Sequence, residues 1–225
     1  MSEMMPSPPF SDTEREAVYR VIAERRDVRR GFLDVPLPED LLSRLLAAAH
    51  SAPSVGLMQP SRFIVIRDPA VRRAVHGIFE RANVQAAANY TNERREQYAD
   101  LKLQGILEAP QNLCVLCNSD SGRGQGLGRQ TMPETALYST VCAIQNLWLA
   151  ARSEGVGVGW VSILDPEKLR EVLHIPAHLT LVAYLCLGYV NCFASEPDLE
   201  RHGWERRVPV ETVVSYDRYS GPGES

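Results

Sequence analysis

The stretch ETALYSTVCAIQNLWLAARSEGVGVGWVSI, residues 134–163, decides the fold class, because it joins the strongest predicted helix of the chain to a strand. Its apolar residues recur at helical spacing and also fill the adjacent faces, as Leu137, Val141, Ile144, Trp148, Ala136, Cys142, Ala143, Leu147 and Ala150 show. Such a helix is predicted to be buried. Because a second apolar face can also serve a subunit contact, we expect a homodimer. Gly155 ends the helix, and residues 156–163 return as a strand of small and β-branched residues.

Helices and strands interleave through the rest of the chain. Ser11 and Glu14 form a capping box before an apolar stripe, which predicts a first helix to about Arg26. A second helix is predicted around residues 41–49, and a helical but poorly amphipathic stretch runs from about 71 to 102. Further strands are predicted at 63–66, 113–117 and 179–190. The long central helices favour an α+β layer sandwich over a doubly wound sheet.

Length and composition predict one globular domain. The chain has 225 residues, of which 44% are hydrophobic and 23% charged. We expect a flexible N-terminus at 1–10, a domain at 11–213 and a C-terminal tail at 214–225. The net charge of -4 argues against an extended nucleic-acid surface. No apolar run approaches the roughly 20 residues of a membrane helix, and the N-terminus lacks a signal-peptide pattern, so we expect a cytoplasmic protein without membrane contact.

The five cysteines predict neither a disulfide framework nor a metal site. Cys114 and Cys117 form a C-x-x-C pattern, but they lie in an apolar run that is typical of a buried strand. On a strand their side chains point to opposite faces, which does not suit joint metal binding. The histidines are scattered without ligand spacing, so no metal is expected. The cysteines are interpreted as small core residues.

Two polar segments remain as candidate binding elements. The sequence RRDVR at 25–29 places three arginines around Asp27, and guanidinium groups at this density suit a bound phosphate. A solvated helix end is the alternative interpretation of that cluster. The segment GRGQGLG at 122–128 has four glycines, but its spacing matches no phosphate-binding motif. It is interpreted as a flexible surface loop.

Over about residues 10–210, the chain resembles the nitroreductase family of flavin enzymes, and most closely the branch of the 5,6-dimethylbenzimidazole synthases. Three passages carry the resemblance: RRDVR at 25–29, APSVGLMQP at 52–60 and EGVGVGWVSI at 154–163. Asp27, Leu57 and Ser61 stand where ordinary nitroreductases usually have Ser or Thr, Asn, and Trp, which favours this branch. The resemblance implies a nitroreductase-like α/β/α sandwich, built as an intertwined homodimer around FMN.

The resemblance also implies roles for individual residues. Arg25 would pair with the FMN phosphate, Arg29 would face the pyrimidine edge, and Arg207 would complete the phosphate site. The remaining flavin contacts would come from Arg26, Asp27, Val28, Ser54, Gly56, Met58, Gly159 and Ser162. Asp27 and Ser162 are the candidate catalytic residues: the carboxylate would accept protons from the ribityl chain or a ring-opened intermediate, and the hydroxyl would lie where oxygen adds to reduced flavin. From the residues alone, Arg207 fits a surface charge of the tail equally well; Asp27 also fits a structural ion pair, and Ser162 a backbone-bonded strand serine.

The activity that the resemblance implies consumes FMN. Reduced FMN reacts with O2 and is fragmented to 5,6-dimethylbenzimidazole and erythrose 4-phosphate, in the biosynthesis of cobalamin (vitamin B12). We expect a lid at 86–103 that includes Tyr90, Leu101 and Leu103. Because a closed lid leaves little room for NAD(P)H, a separate flavin reductase would supply the reduced flavin. An NAD(P)H-dependent nitro or quinone reductase and a non-catalytic flavin-binding protein remain alternatives.

Overall fold

A four-stranded antiparallel sheet forms the centre of the fold in the computed structural model, which describes residues 8–219 and residue 221. The strands are β1 (Ser61–Ile66), β2 (Gln111–Cys117), β3 (Val156–Val161) and β4 (Thr180–Tyr189). Their order across the sheet is β1-β2-β4-β3, so β2 and β4 are the interior strands. The register of β3 with β4 pairs Gly159 with Cys186, and this places the glycine-rich strand at one edge of the sheet.

The helices cover both faces of this sheet. Within the described residues they are α1 (Asp12–Glu24), α2 (Glu39–His50), α3 (Pro69–Ala87), α4 (Asn92–Asp100), α5 (Thr135–Ser153), α6 (Pro166–Leu173) and α7 (Asp198–Arg201). Buried residues of α2 and α5, such as Leu45 and Leu147, pack on one face with Leu185 of β4. Those of α3 and α6, such as Ile78 and Leu169, pack on the other. The predicted α+β layer sandwich is therefore confirmed.

Two helix predictions and one strand prediction differ in detail from the structure. The capping box of Ser11 and Glu14 is present, with the Ser11 N–H donating to Glu14 at 2.9 Å, but α1 ends at Glu24 and not at Arg26. The polar stretch at 71–102 forms two helices, because the chain turns at residues 88–91. The strand predicted at 156–163 ends at Val161. The predicted boundaries at 1–10 and 214–225 fall partly on residues 1–7, 220 and 222–225, which lie outside the described residues.

The cysteines follow the predicted pattern only in part. Cys114 and Cys117 belong to different buried clusters, as expected for residues on opposite faces of β2. Burial raises the pKa of the Cys114 thiol to about 12. Cys186 is buried as well, whereas Cys142 and Cys192 are exposed and are not core residues. Cys142 is exposed because it lies on the outward face of α5.

Both α1 and α5 present apolar side chains to the outside of the chain. The inner face of α5 is buried in the core, but Tyr138 and Val141 are exposed. Helix α1 has no buried residue, and Val18, Tyr19 and Ile22 on it are exposed. The core formed by the described residues therefore does not cover its predicted apolar stripe.

Candidate functional site

The arginine segment, residues 25–29, runs in extended conformation beside the edge strand β3. Its place there depends on the backbone: the Val28 N–H donates to the Val158 carbonyl at 2.9 Å, and Asp27 forms a parallel bridge with Val158. Gly159 permits this approach, because a Cβ at that position would lie 2.0 Å from the Val28 oxygen. The cluster was predicted at a helix end. It lies beyond the helix because pairing with β3 replaces further helical hydrogen bonds.

Asp27 is held by two donors on the protein side of this segment. Its Oδ1 accepts a hydrogen bond from the Trp160 N–H at 2.9 Å, and its Oδ2 accepts one from Arg29 Nη2 at 2.5 Å. The Arg29 side chain is 15% exposed and that of Asp27 30%. A backbone donor and a cation thus fix the carboxylate in a partly buried position, where both carboxylate oxygens keep lone pairs for a further donor.

The three arginines of the segment have different surroundings. Arg26 donates to the carbonyl oxygens of Ala23 and Arg25, both at 2.8 Å, and to that of Ser195 at 2.5 Å. Arg25 lies over the Trp148 ring at 4.7 Å, where a cation is attracted by the aromatic face. The Nε atoms of Arg26 and Arg29 are buried and have no hydrogen-bond partner within the described chain. Buried donors left open in this way favour an acceptor from outside the chain.

A cavity of about 130 Å³ opens beside these groups. It is lined by Arg25, Arg26, Asp27, Arg29, Pro197, Asp198, Leu199 and Arg207. Burial lowers the pKa of Arg25; the charge of Asp27 opposes this shift, and the positive charges of Arg207 and Arg26 add to it. The structure therefore brings Arg207, as the resemblance implied, into the electrostatic range of Arg25. An anion between them would offset this mutual repulsion.

A larger cavity of about 340 Å³ adjoins the first and shares Arg26, Asp27, Arg29 and Asp198 with it. Its other wall comes from residues 191–201, and Asp198 there pairs with Arg30 at 3.5 Å and with Arg201. The sequence analysis missed Pro197, Asp198 and Leu199 as lining residues. No local sequence pattern indicates that this segment lies beside the arginine segment, because the two are far apart in the chain.

The second predicted segment, residues 54–59, lies apart from both arginine cavities. Gly56, Leu57 and Gln59 adopt positive φ angles of 54°, 53° and 48°. Ser54 Oγ accepts a hydrogen bond from the Gln59 N–H at 3.1 Å and so closes the turn. Met58 is fully buried against Cys117 and Ala136. Ser54, Gly56 and Met58 are therefore not brought together with Arg25 and Arg207 within one chain.

The glycine loop, residues 122–128, packs on this second segment. A Cβ at Gly56 would lie 2.9 Å from the Leu127 carbonyl oxygen, and one at Gly124 would lie 2.6 Å from that of Gly56. A cavity of about 650 Å³ opens between the loop and Gly56. The sequence predicted a flexible surface loop here. In the structure, its glycines permit close backbone contact with a predicted flavin segment.

Comparison with known proteins shows which family this chain belongs to. Residues 22–189 match the nitroreductase family. The chain belongs to the nitroreductase family. Two relatives named 5,6-dimethylbenzimidazole synthase are 46% and 43% identical to it: that of Rhodospirillum rubrum over 93% of this chain and 99% of its own, and that of Rhodobacter capsulatus over 90% and 97%. The family predicted from the three sequence passages is confirmed.

The nitroreductase fold is also found by comparison with solved structures. Oxidized iodotyrosine deiodinase bound to FMN and 3-iodo-L-tyrosine superimposes with a TM-score of 0.71, covering 90% of this chain and 100% of that one. The two sequences are 22% identical, so the likeness concerns the fold. It confirms the α+β sandwich that the interleaved helices and strands predicted.

Two predicted elements of this nitroreductase-family chain lie outside the arginine cavities. Ser162 follows the last residue of β3, is exposed, and makes no hydrogen bond within the described residues. It stands two residues after Trp160, whose N–H binds Asp27. In the predicted lid, Tyr90 stacks on Tyr98 at 4.9 Å, and Leu101 and Leu103 are half-buried.

The described part of the chain contains neither a cluster of side chains that could hold a metal ion nor a helix that could cross a membrane. No group of three or more His, Cys, Asp or Glu side chains there is arranged to hold a metal ion. None of the helices in residues 8–219 combines the length and the apolar character that crossing a membrane requires.

Proposed function

We propose that this chain is a 5,6-dimethylbenzimidazole synthase, which fragments reduced FMN with O2 for cobalamin biosynthesis. Relatives of that name match it over nearly their full length. The single observation that carries the proposal is Asp27, a carboxylate fixed at the wall of an arginine-lined cavity by Arg29 and by the backbone of β3. An ordinary nitroreductase would have a neutral hydroxyl residue there.

The residues present fit FMN. Its phosphate would lie between Arg25 and Arg207, where two cations face one cavity. The buried Nε of Arg29 offers a donor to the pyrimidine edge of the ring, where negative charge accumulates on reduction. Gly159 leaves no side chain at the point where the arginine segment meets β3, so Val28 lies close against the strand. These contacts would hold the flavin mainly through its anionic end.

Bound FMNH2 would supply the ring that O2 opens, with 5,6-dimethylbenzimidazole and erythrose 4-phosphate as products. The protein would contribute proton transfer and positioning. Asp27 would accept a proton from a ribityl hydroxyl, since Arg29 and the Trp160 N–H hold its carboxylate in place. The Ser162 hydroxyl, which has no partner within the described residues, would bind the oxygen-derived group at the flavin N5 edge.

Exclusion of water would come from the predicted lid at 86–103. Tyr90, Leu101 and Leu103 supply apolar side chains on this segment, and both leucines follow the end of α4 at Asp100. By excluding water, a closed lid would prevent the reduced flavin from being reoxidised without fragmentation. It would also exclude NAD(P)H, so the reduced flavin would come from a separate flavin reductase. The free cysteines fit a reducing, cytoplasmic compartment.

A homodimer would complete the site. The exposed apolar residues of α1 and α5 are not covered by other residues in the described part of the chain. Ser54, Gly56 and Met58 lie on a segment away from the arginine cavities, so a second copy would have to bring its segment to them. Met58 would then support that segment from the core, because its own side chain is buried. Sedimentation of the purified protein would show the dimer directly.

The proposed activity is tested by mixing the protein with chemically reduced FMN under nitrogen, admitting air, and measuring 5,6-dimethylbenzimidazole by mass spectrometry. A protein-free sample is the control. Formation of the product supports the synthase. Recovery of intact FMN would contradict it; NAD(P)H oxidation with a quinone or nitroaromatic acceptor would then indicate a reductase, and no turnover a binding protein.

The two candidate catalytic residues give a sharper test. Asp27→Asn and Ser162→Gly should each lower product formation by about a hundredfold or more, the usual range for loss of a proton-transfer or positioning group. Both should retain FMN binding, because the phosphate contacts lie at Arg25 and Arg207. Flavin fluorescence titration measures that binding. If both variants lost FMN affinity as well, the proposed division between binding and catalysis would be wrong.

A further inference from the structure

An aromatic cluster outside the arginine cavities joins helix α4 to the C-terminal part of the chain. Trp204 meets the Tyr90 ring edge-on, with 5.3 Å between centroids, and lies 6.1 Å from the Tyr98 ring. The guanidinium of Arg94 lies over Trp204 at 3.8 Å and donates to the Trp204 carbonyl at 2.9 Å. Tyr98 is itself held by donating to Asn83 Oδ1 at 2.6 Å. Trp204 is thus bound by three side chains of the region predicted as a lid.

The same part of the chain forms one wall of the arginine cavity. We call residues 195–207 the C-terminal strap. At its start, the Ser195 carbonyl accepts a hydrogen bond from Arg26 at 2.5 Å. In its middle, the Trp204 N–H donates to the Leu199 carbonyl at 2.9 Å and closes a turn. Leu199 and Arg207 both line the cavity, on either side of Trp204 in the chain. The position of Trp204 therefore sets the positions of two cavity residues.

We propose that Trp204 is a positioning residue for flavin phosphate: by packing on Tyr90 and Arg94 it holds the strap so that Arg207 faces Arg25, and it couples occupation of the cavity to the docking of α4. The proposal rests on the proposed function, since it takes FMN as the ligand. Arg207 is exposed, and repulsion between its charge and that of Arg25 would favour its departure if the Trp204 contacts were lost. The contacts to α4 oppose that departure.

Comparison of FMN with riboflavin, which lacks the phosphate, tests the inference in the full-length protein. Arg94→Ala and Trp204→Leu should each lower FMN affinity by about tenfold, the effect of weakening one charged contact. Riboflavin affinity should change by less than about twofold, because that ligand does not use Arg207. Trp204→Phe keeps an aromatic ring on Tyr90 and should recover most of the FMN affinity. Flavin fluorescence quenching measures all of these values.

A matched control variant separates the loss of one positive charge from the loss of the contacts that Arg94 makes with Trp204. Arg73 on α3 is exposed and its side chain makes no hydrogen bond or ion pair within the described residues, so Arg73→Ala should leave both affinities unchanged. Arg94 is also exposed, so its variant should fold even where Trp204→Leu does not. Equal losses of FMN and riboflavin affinity in Arg94→Ala would mean a general structural role and would overturn the proposal. Unchanged FMN affinity would also overturn it.

Hydrogen exchange tests the coupling itself. Saturating FMN should slow amide exchange in α4 of the unmodified protein, and Arg207→Ala at saturating FMN should lose that protection. Protection that persists in Arg207→Ala would show that α4 responds to the ring and not to the phosphate, against the proposal. These are binding measurements. A protein that binds FMN with the expected pattern but forms no 5,6-dimethylbenzimidazole would contradict only the proposed function, and a variant without effect would contradict only this inference.

Discussion

The arginine segment at 25–29 and the second segment at 54–59 are both predicted to bind flavin, yet they are constructed differently. The first is extended beside β3 and acts through charged side chains, two of which keep a buried Nε without a partner within the described chain. The second has a strained backbone, with Gly56, Leu57 and Gln59 at positive φ, held against the glycine loop. One segment offers charge to a ligand, and the other offers backbone shape.

This difference indicates how the two segments would share the work of binding. Charged groups can hold an anion through a few contacts, whereas a strained turn is maintained only when the surrounding structure fixes it. The arginine segment faces cavities formed within one chain. The second segment instead carries Leu57, an apolar side chain that is 73% exposed. An exposed apolar side chain at the tip of this turn would suit contact with a flavin ring held by a neighbouring copy.

The largest effect is expected from a substitution that disrupts the backbone pairing of the arginine segment with β3. In Gly159→Ala, the new Cβ would lie 2.0 Å from the Val28 carbonyl oxygen, so the strand or the segment must move. We expect the free energy of unfolding to fall by about 3 kcal/mol or more, as for severe overpacking, with loss of FMN binding. Urea denaturation measures the first and fluorescence titration the second.

Gly122→Ala provides the control for that substitution. A Cβ at Gly122 meets no atom within 4 Å among the described residues, and its φ of -67° suits any residue. Its unfolding free energy should change by less than about 0.5 kcal/mol. Full stability and FMN affinity in Gly159→Ala would mean that the arginine segment is not paired with β3, and the site geometry described above would be wrong.

A smaller effect separates the two neighbouring arginines. The Arg25 side chain lies over the Trp148 ring and makes no hydrogen bond or ion pair within the described residues, so Arg25→Ala should lower FMN affinity by about a hundredfold and change stability little. Arg26 donates to three backbone carbonyls, so Arg26→Ala should lower the free energy of unfolding by about 2 kcal/mol. If Arg25→Ala left FMN affinity unchanged, Arg25 would have no part in the site.

The sequence predicts the charged segment better than the strained one for a physical reason. RRDVR shows its chemistry in its residue types, and the α+β layer sandwich follows from the apolar periodicity of α5 and the strands. The direction of the segment does not follow, because the pairing of Val28 with Val158 depends on a contact between distant residues. The contact between Gly56 and Gly124 and that between Trp204 and Tyr90 also join residues that are far apart in the sequence. Neither contact produces a local sequence pattern from which it could be predicted.

The smallest expected effect concerns the glycine loop and tests whether this loop holds the second segment in place. Gly124 and Gly126 have nearly the same left-handed φ, +72° and +73°, so an alanine at either position meets the same backbone strain of about 1 kcal/mol. A Cβ at Gly126 has no atom within 4 Å among the described residues, whereas one at Gly124 would lie 2.6 Å from the Gly56 carbonyl oxygen. The two variants therefore differ only in contact with the second segment.

We expect Gly124→Ala to lower the free energy of unfolding by about 2 kcal/mol and Gly126→Ala by about half as much. Urea denaturation of the two variants side by side measures the difference, which isolates the packing of the loop on Gly56. Gly124→Ala should also weaken FMN binding more than Gly126→Ala does, because it displaces the turn that carries Leu57. Equal stabilities and equal FMN affinities would show that the loop does not hold the second segment, and the strain at Leu57 would then have to arise within residues 54–59 alone.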